Sequence, residues 1–210
     1  MKNDENKKLI QEFWDDFELN QEKLFSLESI STSDRNLLLK KLIKRLKLIN
    51  KDLTLEIGPL HDDRRELTLS ADGIEDAFPY IEEIYKNKPK FNNWIFHRFR
   101  QPIANIADFS ITIDDINIKF SAVQFGLVED EGGIVVLLFI PGYKGDISAY
   151  ETIKFLTLDS CLGEYVAVKN VKYCAAYDVN GYRDKDLKPI KLLKKDFDKM
   201  YSSISKLDYL

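Results

Sequence analysis

Histidine and cysteine are scarce in this chain, with two of each among 210 residues. The cysteines, Cys161 and Cys174, form no CxxC pair and have no histidine at zinc-ligand spacing, so no metal site is expected. Both lie among apolar residues, which reads as buried free thiols of a reducing compartment. No P-loop, GxGxxG, GxSxG or HExxH pattern occurs, so the commonest nucleotide-binding, serine-hydrolase and zinc-peptidase classes have no support. No catalytic residue and no cofactor is assigned. An excess of positive charge is also missing. The net charge is −4 and the pI near 5.4, which argues against a surface that neutralises many phosphates, and no nucleic-acid partner is expected. Long apolar runs are absent too: the longest, Ile134 to Ile140, is too short to span a bilayer as a helix. The first eight residues are polar and lead into an amphipathic pattern without an apolar signal core. A cytoplasmic protein without a membrane partner is the expectation.

What is present is a well-populated core composition, 44% hydrophobic and 31% charged, which excludes wholesale disorder. From Lys8 to about Leu27, residues Leu9, Ile10, Phe13, Trp14, Phe17, Leu24 and Phe25 recur at helical spacing. Ser31-Thr32-Ser33-Asp34 supplies N-cap chemistry for a second helix carrying Leu38, Leu42, Leu46 and Ile49. The period then changes to two. Leu53, Leu55 and Ile57, then Leu67, Leu69 and Ala71, predict a β-hairpin with a long loop containing Gly58-Pro59 and His61 to Arg64, closed by Asp72-Gly73. A short helix with Pro79 in its first turn follows over about 76–87. Further strands are predicted over 93–100, 109–113 and 116–120, the last two joined by Asp114-Asp115. The run Ile134–Ile140 predicts a central strand buried on both faces. A mostly buried helix over about 148–162 ends at Gly163. A strand over 165–177, a polar loop over 177–188 and a last helix over about 189–204 complete the reading.

This order predicts an α+β fold: an antiparallel or mixed central sheet of about six to seven strands with helices packed on it, and an N-terminal helix pair. No Pro/Gly/Ser-rich linker divides the chain, so residues 1–210 are read as a single α+β domain, with the pair over 1–50 as an appendage to it.

The most suggestive cluster is Arg98 and Arg100, placed on one strand face with Trp94. Two guanidinium groups two residues apart can hold a phosphate, a carboxylate or an acidic partner. Asp72, Asp159 and Glu164, near predicted element ends, are the carboxylates that could complete such a site, and Glu164 is placed to pair with an arginine. His61 falls at a hairpin tip and reads as solvated. His97 falls mid-strand and reads as a sheet residue. The stripe Phe13, Trp14 and Phe17 reads as core.

Five phrases in order carry a resemblance. They are Phe13-Trp14-Asp15-Asp16-Phe17 with Asn20; Thr68-Leu69-Ser70-Ala71-Asp72-Gly73; Pro79 to Tyr85; Trp94-Ile95-Phe96 through Arg100-Gln101-Pro102; and Leu158-Asp159-Ser160-Cys161-Leu162-Gly163-Glu164. Together they resemble a group of uncharacterised bacterial proteins carrying a domain of unknown function. The resemblance covers most of the chain and brings no catalytic residues with it. Some small acidic bacterial proteins of this type serve as immunity or accessory proteins beside toxins, and the expected function is accordingly a protein-binding module with a protein partner. The alternative is a small-molecule-binding protein or an enzyme acting on an anionic ligand, which requires the arginines, Trp94 and the carboxylates to converge on one pocket. The sequence leaves the oligomeric state open.

Overall fold

The computed structural model describes residues 2–181 and 186–207. Two units emerge along the chain, Met1–Arg100 and Gln101–Leu210.

In the first unit, helical spacing gives α1 (Lys2–Phe25) and α2 (Thr32–Ile49). Ser31 caps α2, its Oγ accepting from the Asp34 amide at 3.1 Å. Arg45 donates to Asp16 at 2.6 Å and to Glu12 at 3.2 Å, tying the helices along their outer seam. Their inner faces bury Phe13, Trp14, Phe17, Leu42 and Leu46. Strands β1 (Thr54–His61) and β2 (Arg64–Ser70) pair antiparallel. Helix α3 (Phe78–Lys86) then returns the chain so that β3 (Trp94–Arg98) lies parallel to β2, giving the order β1-β2-β3. Trp14 Nε1 donates to the Ile84 carbonyl at 2.9 Å, and Phe17 meets Trp94 edge-on at 5.0 Å. The helix pair therefore forms part of this unit's core. The hairpin loop is tighter than its composition predicts. Asp62 and Asp63 take positive φ (46° and 56°), the geometry of a two-residue primed turn, and a bulge between Ile57 and Leu60 absorbs Gly58-Pro59.

The second unit holds a two-stranded hairpin, β4 (Ser110–Ile113) with β5 (Ile116–Lys119). Its main sheet begins with β6 (Gln124–Asp130) and β7 (Gly133–Ile140), an antiparallel pair. Helices α4 (Ser148–Leu162) and α5 (Glu164–Asn170) carry the chain back to β8 (Val171–Asp178), parallel to β7. The two-residue β9 (Lys188–Pro189) pairs with β6 and leads into α6 (Leu193–Leu207). The order is β8-β7-β6-β9, so the apolar run Ile134–Ile140 is central. Val136, Leu138 and Ile140 pack against Ile153, Leu162, Leu193 and Phe197.

The fold is α+β with an N-terminal helix pair, but the expected single sheet of six to seven strands does not form. Among the described residues the strands group as three, two and four. The reason is connectivity. Each unit contains a hairpin followed by a helical crossover, and each crossover lays its third strand parallel beside the preceding one instead of extending one common sheet. Besides the short β9, two elements also differ from the sequence reading. Strand β6 goes unpredicted. Residues 165–170, the first part of the strand expected over 165–177, instead belong to α5: Gly163, at φ 84°, breaks the helix after Leu162 and a new one starts at once. Part of the polar loop expected over 177–188 lies outside the described residues. No helix among the described residues is long and apolar enough to cross a membrane.

Candidate functional site

The arginines do not form an anion site on one strand face. Strand β3 ends at Arg98, and Phe99 takes φ 67°, a left-handed conformation rare for a bulky residue. Its amide is held by the Leu69 carbonyl at 2.7 Å and its ring packs on Phe78 at 4.4 Å. The two-residue alternation that would set Arg100 beside Arg98 is broken there. Trp94 faces inward and is buried against Phe17 and Phe25. Arg98 is half exposed and donates to Glu82 at 2.6 Å. Arg100 is largely buried between Glu56 (2.6 Å) and Asp72 (2.5 Å). Burial works against its charge, and the two carboxylates more than offset this, so its pKa is raised. Asp72 and Arg100 are thus the members of the expected set that the structure brings together. Both guanidinium groups already hold carboxylates of their own unit. Asp159 and Glu164 belong to the second unit and are buried, Asp159 in the last turn of α4 and Glu164 at the first position of α5. His61 is exposed at the end of β1. His97 is half-buried, its Nε2 at 3.5 Å from Glu66 without hydrogen-bonding geometry.

Sequence reasoning missed a polar cluster beyond the end of β7. Glu151 accepts hydrogen bonds from the Tyr143 hydroxyl and from Lys154, a mostly buried lysine. The bonds from Lys154 and Tyr143 hold the Glu151 carboxyl below its usual range, and burial together with Glu151 pushes the Tyr143 phenol up. Acid and phenol both move away from neutrality, so this pair suits fixing the loop after β7 against α4 better than proton transfer near pH 7. Burial also pushes both thiols up, Cys174 to about 12, which makes them poor nucleophiles. Among the described residues no group of three or more His, Cys, Asp or Glu is placed to hold a metal ion.

Two surface features of the second unit remain. The first is a groove of about 580 Å³ beside β6, with Leu127, Leu137, Leu187 and Met200 in its lining and the Lys188–Asp196 ion pair (2.7 Å) at its rim. The second is β8, the edge strand of the four-stranded sheet. Among the described residues, no backbone hydrogen bond reaches its outer edge. From Tyr173 onward the strand alternates regularly. Cys174 and Ala176 pack on the core face, while Tyr173 (63% exposed) and Tyr177 (43% exposed) stand on the other. Lys172 is the extra residue of a bulge at the start of the strand and reaches back to Asp130 at 2.9 Å and Glu131 at 3.3 Å. The stretch Tyr173–Tyr177 has no charge, no proline and no glycine, so it lacks the usual devices that blunt an edge. Nothing local in the sequence marks this strand as an edge.

No family model, no curated protein and no solved structure matches the chain.

Proposed function

We propose that the protein is a protein-binding module that takes a partner by strand addition at β8. The observation that supports this most is the outer edge of the eight-residue β8, which no backbone hydrogen bond among the described residues reaches and where Tyr173 is 63% exposed. An added strand gains main-chain hydrogen bonds along the edge, and the tyrosines offer aromatic area at small entropy cost. The resemblance to uncharacterised bacterial proteins supports the same class, with service as an immunity or accessory protein as the expected use. The test is affinity purification of the tagged protein from its native cells beside a Tyr173→Lys variant. Tyr173 is mostly exposed, so this change leaves the core alone. A stoichiometric protein partner held by the parent and lost by the variant is expected. Absence of any partner across growth conditions, or a partner indifferent to Tyr173, defeats the proposal.

A second reading, small-molecule binding, is favoured by the groove beside β6, whose volume falls in the range of ligand sites. It no longer draws on Arg98 and Arg100, whose charges are engaged by Glu82, Glu56 and Asp72.

A further inference from the structure

A groove on the face of a sheet is lined by alternate residues of a strand, a groove along its edge by consecutive ones. The groove of about 580 Å³ beside β6 is lined by the unbroken run Phe125–Glu129, so it follows the edge of that strand. Its opposite wall is one face of α6, where Asp196, Lys199, Met200 and Ser203 recur at i, i+3, i+4 and i+7.

The main chain on this edge points into open space. Glu131 (φ 45°) and Gly132 (φ 75°) form a two-residue turn, which makes Asp130 and Gly133 a hydrogen-bonded pair. Antiparallel alternation then turns Gly126, Val128 and Asp130 toward β7, and Phe125, Leu127 and Glu129 present their N–H and C=O groups to the other side. The far end of the strand agrees, since Ile190 donates to the Val123 carbonyl on that side at 3.1 Å. Strand β9 pairs only with Gln124 and Phe125. Among the described residues no backbone hydrogen bond reaches Leu127 or Glu129 there.

The side chains of the groove narrow the choice of occupant. Leu127 and Met200 lie at the margin of the core and offer apolar area. Asp196 is neutralised by Lys188 at 2.7 Å. Lys199 is exposed and makes no ion pair among the described residues, so the free charge on this wall is positive. An extended chain matches the outward N–H and C=O groups of successive alternate residues, which a compact small molecule cannot do.

We propose that the groove between β6 and α6 takes an extended peptide as an added strand, its main chain bonded to Leu127 and Glu129, its apolar side chains on Leu127 and Met200, and an acidic side chain against Lys199. This goes beyond the β8 reading and does not depend on it. The test is selection of phage-displayed random heptapeptides on the full chain, followed by fluorescence anisotropy of the enriched peptide with variants. Enriched sequences are expected to share apolar residues and one acidic position. Glu129 is exposed, and proline at an edge position facing solvent removes only the outward N–H. Glu129→Pro is therefore expected to weaken binding by about tenfold, whereas Glu129→Ala, which keeps the N–H, stays within about threefold of the parent. Lys199→Glu is expected to weaken binding by about tenfold as well, and it decides alone if Glu129→Pro fails to fold, because Lys199 stands on the exposed surface of α6. Tyr173→Lys is expected to change nothing. Enrichment of no peptide, a peptide that Glu129→Pro binds as well as Glu129→Ala does, or one indifferent to Lys199→Glu overturns the inference. A peptide lost by Tyr173→Lys and kept by Glu129→Pro belongs to β8, which overturns the inference and leaves the strand-addition reading standing.

Discussion

The chain's two tryptophans, Trp14 and Trp94, share one core and differ in a single respect. Both are buried, at 2% and 5% exposure, and both meet Phe17 and Phe96. Trp14 Nε1 donates to the Ile84 carbonyl at 2.9 Å, whereas Trp94 Nε1 is buried without a partner among the described residues. Trp→Phe at either site removes a similar part of the ring and loses about 1–2 kcal/mol of packing. At Trp14 a buried hydrogen bond is lost as well, worth about 1 kcal/mol net. The Ile84 carbonyl still accepts from the Asn87 amide at 3.2 Å, so it is not orphaned and the cost stays near this figure. Trp14→Phe is therefore expected to destabilise the protein by about 2–3 kcal/mol. At Trp94 the same change removes a buried donor that has lost water and gained nothing, a relief of about 1–3 kcal/mol that offsets the packing loss. Trp94→Phe is expected to be close to neutral, about 2 kcal/mol milder than its counterpart. Urea unfolding followed by the fluorescence of the remaining tryptophan measures both, with equal m values as the check that midpoints are comparable. A Trp94→Phe variant as unstable as Trp14→Phe would refute the reasoning, because the hydrogen-bond difference would then count for nothing.

Two further outcomes follow from named contacts. Burial alone would raise the Asp16 carboxyl, but hydrogen bonds from Arg45 and Lys41 outweigh it and hold the group below its ordinary value of 3.8. A depressed carboxyl contributes stability above its unfolded pKa and loses it as the pH falls through the folded pKa, so the melting-temperature gap between parent and Asp16→Asn is expected to be full at neutral pH and to close on acidification below 3.8. A gap that stays constant with pH contradicts the sign. Gly163 sits at φ 84° between α4 and α5, and Gly163→Ala is expected to lower stability by about 1–2 kcal/mol in the same urea assay, an unchanged midpoint being the contrary result.

Local periodicity made most elements of this fold legible. The stripes of α1 and α2, the Asp114-Asp115 hairpin and the apolar run of β7 each declare themselves within a dozen residues. Strand grouping was not legible, because it is fixed by where crossovers land and leaves no local trace. The strand expected over 165–177 shows the limit from another side. Its β-branched and aromatic residues suit either state, and only the backbone at Gly163 lets Glu164–Asn170 restart as helix. The arginine cluster failed for a related reason. Trp94, Arg98 and Arg100 share a face only while the strand continues, and Phe99 at φ 67° ends it between the two arginines. The signal that could have warned of this lies in Phe99 itself: a large apolar residue between two arginines needs burial, and it reaches the Phe78 ring by turning the backbone.

Charged side chains, the two candidate arginines among them, are largely engaged with one another. Arg98 meets Glu82, Arg100 meets Glu56 and Asp72, Arg65 meets Glu28, and Lys154 meets Glu151. A functional argument built on free charge therefore weakens with each of these contacts, while one built on backbone does not. Strand β8, like β1, is an eight-residue strand at the edge of its sheet, and a bare edge is a hazard that proteins usually cover, twist or charge. Its sequence does none of these between Tyr173 and Tyr177. Such a pattern carries no meaning in a central strand, where β7-like neighbours on both sides would decide every pairing. It acquires one only at an edge, and the same residues were uninformative as sequence because nothing local marks β8 as an edge strand.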